Sequence, residues 1–196
     1  MEPSIACAKA GITTGEWGAA LRGVFGEYRA PTGVSRAVAR LGDDGLGEVR
    51  AEVDRVSARL GRRIKLLVGN PGLDGHSNGA EQIAVRARDC GMEVVYEGLR
   101  LTPAQIVRAA GDEAVHVVGL SILSGSHVPL VEEVTQRMRK DGLDDVPVVV
   151  GGIIPPEDAV KLKGFGVAAV FTPKDFQLNA IMRDIVRLAD GLALAA

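Results

Sequence analysis

The stretch IKLLVGNPGLDGHSNGAEQIAVRARDCGMEVVYEG (Ile64–Gly98) decides how this chain folds. It opens and closes on short apolar runs, IKLLVG (64–69) and EVVYEG (93–98), which read as strands. Between them a glycine-rich loop leads into a helical pattern that begins near Asn78 and ends at Gly91. Three further runs repeat the theme: VHVVGLS (115–121), VPVVVGG (146–152) and VAAVFT (167–172). Most lack polar alternation, as do strands buried on both faces of a parallel sheet. Helical patterns separate them. One is capped by Thr102 with Pro103 at its first position. Others run from Pro129 to Lys140, from Pro155–Pro156 to Lys163, and from Lys174 to Leu188, where Phe176, Ile181, Ile185 and Leu188 share a face.

Strand alternating with helix five times predicts right-handed crossovers and an α/β doubly wound sheet. The expected architecture is a flavodoxin-like (Rossmann-like) five-stranded parallel sheet in the order 2-1-3-4-5. Ligands of such sheets bind beyond the carboxyl ends of the strands, near the switch point between strands 1 and 3.

Composition narrows the function. With 46% hydrophobic and 24% charged residues, the 196-residue chain is globular, and its formal charge of −2 creates no field favouring nucleic acid or an acidic membrane. One Trp, two Tyr and four Phe are too few for a base-stacking platform. Cys7 and Cys90 share no close spacing, so neither a disulfide scaffold nor a zinc site is expected. No apolar stretch approaches the ~20 residues of a membrane span, and there is no signal-peptide pattern. A cytoplasmic location is therefore expected.

The first 61 residues read as a helical extension, and 62–196 as the sheet domain. TGEWGAALRGVFGEY (14–28) sets Trp17, Leu21, Val24, Phe25 and Tyr28 on one helical stripe. A linker, RLGDDGLG (40–47), comes next. Leu46, Val49, Val53, Val56 and Leu60 then step by 3 and 4 as a short heptad seam. Both helices either pack on the sheet domain or dock on a partner.

The loop Asn70–Asn78 lies after the first strand, on the expected ligand edge. A phosphate loop would need Gly-Lys-Ser/Thr, which is absent. GLDGHSNG imitates the dinucleotide pattern, but its first gap is two residues rather than one. A phosphotransfer receiver would end its third strand in aspartate, where Ser121 stands. His76 can instead ligate a metal through a neutral imidazole, with Asp74 as the carboxylate that orients it. No second strong ligand lies close in sequence. His127 stands at the end of the loop after strand 3, with a structural role near a helix start, and His116 reads as a satisfied core residue. One protein ligand implies a metal already held by a macrocycle.

DGHSNG (74–79) matches D-x-H-x-x-G, SIL (121–123) matches S-x-L, and Gly151–Gly152 closes strand 4. Together these resemble the signature of cobalamin-binding domains of the base-off, histidine-on class, over about Arg62 to Leu188. AGITTGEWGAALRGVFGEYRAPTGV (10–34) is similar to the segment that joins barrel and cobalamin domain in acyl-CoA mutases. LDGHSNGAEQIAVRARD (73–89), LSILSGSH (120–127) and FTPKDFQLNAIM (171–182) are most similar to ethylmalonyl-CoA mutases, with methylmalonyl-CoA mutases as near relatives.

The resemblance implies adenosylcobalamin as cofactor, with His76 on its cobalt and Asp74 bonded to the imidazole. It implies that Gly75 and Gly79 make room beside the ring and the displaced nucleotide tail, that Ser121 and Leu123 line the tail's pocket, and that Gly151 and Gly152 let the tail approach the backbone. Thr172 and Pro173 are placed on the far wall by position alone. The cofactor would bring radical carbon-skeleton chemistry, making the assembled enzyme an isomerase. Acyl-CoA would be bound by a barrel-containing large subunit or domain of ~250 residues, for which this chain has no room. The chain is therefore expected to be inactive alone, with Trp17, Phe25 and Tyr28 as contacts to that partner. A non-catalytic cobalamin carrier or sensor is the alternative, and a flavodoxin-like nucleotide binder a third reading.

One position departs from the family. Relatives commonly carry lysine four residues before the motif aspartate, and here Asn70 stands there. Asn70→Lys is expected to change the pH dependence of cobalt coordination. Coincident absorbance-versus-pH curves for hydroxocobalamin bound to the two proteins would refute this.

Overall fold

A computed structural model describes residues 2–26, 45–175 and 177–195. The chain divides into two compact units, Met1–Gly42 and Asp43–Ala196.

The second unit is built on five parallel strands: β1 (Lys65–Gly69), β2 (Glu93–Tyr96), β3 (Val117–Ser121), β4 (Val148–Gly151) and β5 (Val167–Phe171). Their order is β2-β1-β3-β4-β5, as the alternation of strand and helix predicted. The strands are one to three residues shorter than the apolar runs that announced them. Register aligns their ends: Gly69 pairs with Leu120, Ser121 with Gly151, and Gly151 with Phe171. The sequence-predicted strand-end residues therefore lie in one row at the carboxyl edge.

In the first unit, α1 (Glu2–Lys9) and α2 (Thr14–Phe25) are short helices without buried residues. Thr13 and Glu16 form a reciprocal capping box at the start of α2. Trp17, Leu21, Val24 and Phe25 on α2 are exposed; Tyr28 lies outside the described residues.

In the second unit α3 (Leu46–Leu60), α4 (Asn78–Asp89) and α8 (Leu178–Ala195) share one apolar core with the sheet, while α5 (Pro103–Asp112), α6 (His127–Lys140) and α7 (Pro156–Gly164) share the other. Handedness explains this division. The β1-to-β2 crossover runs one way along the sheet and the later crossovers run the other, so equal handedness puts α4 on one face and α5, α6 and α7 on the opposite one. Local signals agree with the placement. Thr102 and Gln105 cap α5 reciprocally, with Pro103 at its first position, and Gly61 ends α3 in the left-handed region at φ 68°.

Three expectations shift. The heptad seam of α3 is not part of an extension: Val49, Val53 and Val56 are fully buried in the core that holds Ile181, Met182 and Ile185 of α8. Arg59 pairs with Asp190 and Arg183 with Glu48 beside that seam. The break expected at 61/62 thus falls ahead of α3, and Leu46 and Gly47, read as linker, open the helix. Second, α8 starts four residues later than expected and runs seven further, because Thr172–Asp175 form a turn closed by the Asp175 side chain and Asp175 N–H. Phe176, assigned to its apolar face, lies outside the described residues. Third, His116 is only half satisfied. Its Nδ1 accepts from Lys65 N–H at 2.8 Å, but its buried Nε2 has no partner among the described residues. Burial, reinforced by Arg62 and Lys65, holds its pKa down.

No helix among the described residues is long and apolar enough to cross a membrane. Val53→Ala is expected to cost about 2 kcal/mol, since it opens a cavity in the shared core. Urea denaturation measures this; an unchanged midpoint would mean that α3 folds apart from the sheet.

Candidate functional site

The loop after β1 is held in place by its backbone before any side chain acts. Leu101 N–H donates to Asn70 O at 3.0 Å, and Gly72 N–H to Leu101 O at 2.9 Å. Pro71 and Leu101 form a parallel bridge, so the sheet edge continues past β1. Gly72 then turns at φ 86°, and a Cβ there would stand 2.8 Å from Leu130 Cδ1. The left-handed conformation is what favours glycine here, since Leu130 Cδ1 is the end of a side chain that can move aside.

Asp74 and His76 come next. Asp74 Oδ1 lies 2.6 Å from His76 Nδ1 and accepts from His76 N–H at 3.1 Å. Asp74 Oδ2 accepts from Leu123 N–H at 2.9 Å, across the gap to the loop after β3. The Asp74 side chain is 5% exposed and that of His76 73%. The imidazole bond, then the N–H donors of His76 and Leu123, hold the Asp74 carboxyl below the usual carboxylate range against the opposing pull of burial. At neutral pH Asp74 is thus an anion that only accepts. An acceptor on that side calls for the proton on His76 Nδ1, which leaves Nε2 as the ring atom able to meet a ligand.

Asn70 does different work from a relay lysine. It is buried, and its Nδ2 donates to His76 O at 3.1 Å, while its Oδ1 has no partner among the described residues. It steadies the main chain of His76 rather than the charge of Asp74. No group of three or more His, Cys, Asp or Glu able to hold a metal ion stands among the described residues.

Beside this loop a cavity of about 380 Å³ opens between α4, α8 and the sheet. Gly79, Ser121, Leu123, Gly151, Gly152, Thr172 and Pro173 all line it. The sequence-predicted residues therefore form two groups: Asp74, Gly75 and His76 on the loop, the others around the cavity, with Leu123 joining them through its bond to Asp74. Gly79 is the second residue of α4, and a Cβ on it would meet Ser121 Oγ only at 3.9 Å. Thr172 Oγ1 donates to Asp175 Oδ2 at 3.1 Å, so its hydroxyl is already engaged.

The glycine pair has two reasons, not one. Gly151 faces the cavity, with nothing nearer than Leu120 O at 4.0 Å to a Cβ built there. Gly152 points the other way, and its Cβ would fall 1.9 Å from Ile122 O. Close approach of the backbone just past β4 to that just past β3, not room for a ligand, demands glycine at 152. The sequence reading missed Gly119, which lies on the cavity floor, and the walls supplied by Ile83 and Leu178. A glycine inside an apolar strand was the available signal for Gly119, since it marks a close approach.

His127, the first residue of α6, is buried. Its Nε2 lies 3.0 Å from Asp158 Oδ2, and its Nδ1 3.3 Å from Ser124 O. It ties α7 to the loop after β3 and lies outside the cavity lining.

A family model described as the B12 binding domain matches residues 64–181. The ethylmalonyl-CoA mutase of Cereibacter sphaeroides is 66% identical over 196 residues, covering 100% of this chain and 30% of that protein. That of Methylorubrum extorquens is 57% identical over 190 residues, 97% of this chain and 27% of that protein. The methylmalonyl-CoA mutase large subunit of Streptomyces virginiae is 36% identical over 193 residues, 96% and 26%. The chain thus spans less than a third of the length of these relatives. Among solved structures, a cobalamin-binding protein from Desulfitobacterium hafniense superposes with a TM-score of 0.55 at 18% identity, covering 71% of this chain and 70% of that one. The monomethylamine corrinoid protein of Methanosarcina barkeri gives 0.53 at 14%, covering 70% and 62%. At such identities the likeness is one of fold.

Gly152→Ala is expected to destabilise the protein by about 1–3 kcal/mol through overpacking, whereas Gly151→Ala leaves stability close to wild type. Thermal melts of the two variants test this. Equal Tm losses would contradict the separate reasons given for the two glycines.

Proposed function

The chain belongs to the B12-binding domain family, and from that premise we propose that it carries adenosylcobalamin for a radical acyl-CoA mutase of the ethylmalonyl-CoA or methylmalonyl-CoA type. The observation that carries this reading is the Asp74–His76 pair, with Nδ1 held by the carboxylate and Nε2 on an exposed ring. A lone imidazole suits a metal whose other ligands come with its macrocycle.

The cavity fits the displaced tail of such a cofactor. Its walls are largely apolar, and on its floor Gly119 and Gly151 present backbone without side chains. Ser121 supplies a hydroxyl beside Gly79, where a polar edge of the tail's base would find a partner. His76 would ligate cobalt. Asp74 would keep the ring oriented and raise its donor strength, because an anionic acceptor on Nδ1 pushes electron density towards Nε2. Asn70 would hold the His76 backbone against the pull of the metal.

When bound, the cofactor supplies a homolytically cleavable cobalt–carbon bond, which no side chain can replace. The residues of this chain bind and orient it and leave substrate binding elsewhere. The acyl-CoA site is assigned to a barrel-containing part beyond these 196 residues, in keeping with the small share of the mutase relatives that the chain covers. These residues alone would not isomerise an acyl-CoA.

Titration of hydroxocobalamin tests the reading. Wild type is expected to give a histidine-ligated, base-off spectrum, and His76→Ala to lose it and bind more weakly. The same base-on spectrum from both proteins would sink the assignment. Adding a barrel-type large subunit should then yield acyl-CoA isomerisation; cobalamin binding without any would mark the chain as a carrier or sensor.

A further inference from the structure

Two residues other than glycine have positive φ among the described residues, Arg100 at 60° and Ala114 at 48°. Ala114 follows the cap residue Glu113 of α5, where a left-handed residue ordinarily closes a helix. Arg100 ends no helix. It lies between β2 and α5, and the next two residues impose its conformation. Leu101 is bonded on both sides to the loop of β1, and Thr102 is committed to its capping box. Such strain persists only where surroundings enforce it, and it gathers at binding sites.

The enforced conformation brings Arg100 to the metal-ligand loop. A Cβ built on Gly75 would meet Arg100 Nη2 at 3.8 Å. Arg100 is exposed, and among the described residues no hydrogen bond or ion pair engages it. Neighbouring Asp74 has both oxygens committed to His76 and Leu123. A planar cation with five donors is therefore presented next to the residue that precedes His76. It stands towards β2, whereas the cavity lies towards β3, β4 and β5.

Resting on the cobalamin reading above, we propose that Arg100 is a corrin-binding residue, donating hydrogen bonds to amide carbonyls on the rim of the ring. A corrin is several times wider than an imidazole, and its rim carries amide side chains. The fork of a guanidinium suits such acceptors. Arg100 grips the ring on the side away from the tail cavity, and the backbone strain at φ 60° is the cost of aiming it there.

The test compares hydroxocobalamin with diaquacobinamide, which keeps the corrin amides and lacks the nucleotide tail. Arg100→Asn and Arg100→Gly both tolerate the left-handed conformation and remove the guanidinium, so melting temperatures should hold or rise. Both variants are expected to bind both ligands about tenfold more weakly than wild type, the worth of one or two hydrogen bonds. Wild-type affinity in either variant would overturn the proposal. A loss confined to hydroxocobalamin would also overturn it, because the arginine would then serve the tail. So would a wild type that binds hydroxocobalamin but not cobinamide. A wild type that binds neither would bring down the cobalamin reading itself, a result distinct from the failure of Arg100.

Discussion

The carboxylate of Asp74 joins two loops that come from different strands. One oxygen fixes the imidazole and backbone of His76, and the other takes the N–H of Leu123. The group that orients the imidazole therefore also fixes the edge of the cavity. The carboxylate can do this because it is nearly buried yet anionic: three N–H donors replace the water it gives up, and they pull its pKa down further than burial lifts it. A neutral side chain of the same shape would lack the acceptors to hold both loops.

The cavity owes its place to the handedness of the crossovers. The β1-to-β2 connection moves one way along the sheet and all later ones the other, so α4 and α8 share a face without covering its middle. What is left between them is the carboxyl end of β3, where Gly119 and Ser121 lie, beside Gly151 of β4. A helix packed over that gap would abolish the site. The two helices flanking it are steadied by α3, whose valines complete the core beneath them.

Two positions at the carboxyl edge trade stability for arrangement. Asn70 buries an acceptor with no partner among the described residues, and Arg100 holds a left-handed backbone. Both depart from what a chain selected for stability alone would hold, and both bear on the one short loop that carries His76. Most of the sheet obeys ordinary rules, with valine-rich central strands and capped helices; the unpartnered Nε2 of buried His116, at the amino edge, is a separate exception. Local violations beside one loop of a largely consistent fold are what a binding site looks like in physical terms.

The order of the strands, the existence of the helices between them and the Asp74–His76 pairing were legible in the sequence, because they depend on short-range rules. Apolar runs too uniform for a half-exposed sheet require a parallel one, glycine and proline punctuate it, and an aspartate two residues before a histidine can reach it. Helix ends were less legible: α8 starts late because a turn closed by Asp175 interrupts the periodic pattern. Tertiary structure alone decided what depends on two distant segments meeting. The seam of α3 could have served a partner or its own sheet, and only packing against α8 settles which. Gly151 and Gly152 are identical letters, yet a Cβ on the first would meet open space and one on the second would strike Ile122 O, because only the folded chain brings the backbone past β3 against that past β4. The bond of Asp74 to Leu123 and the approach of Arg100 to Gly75 span separations that no local propensity encodes.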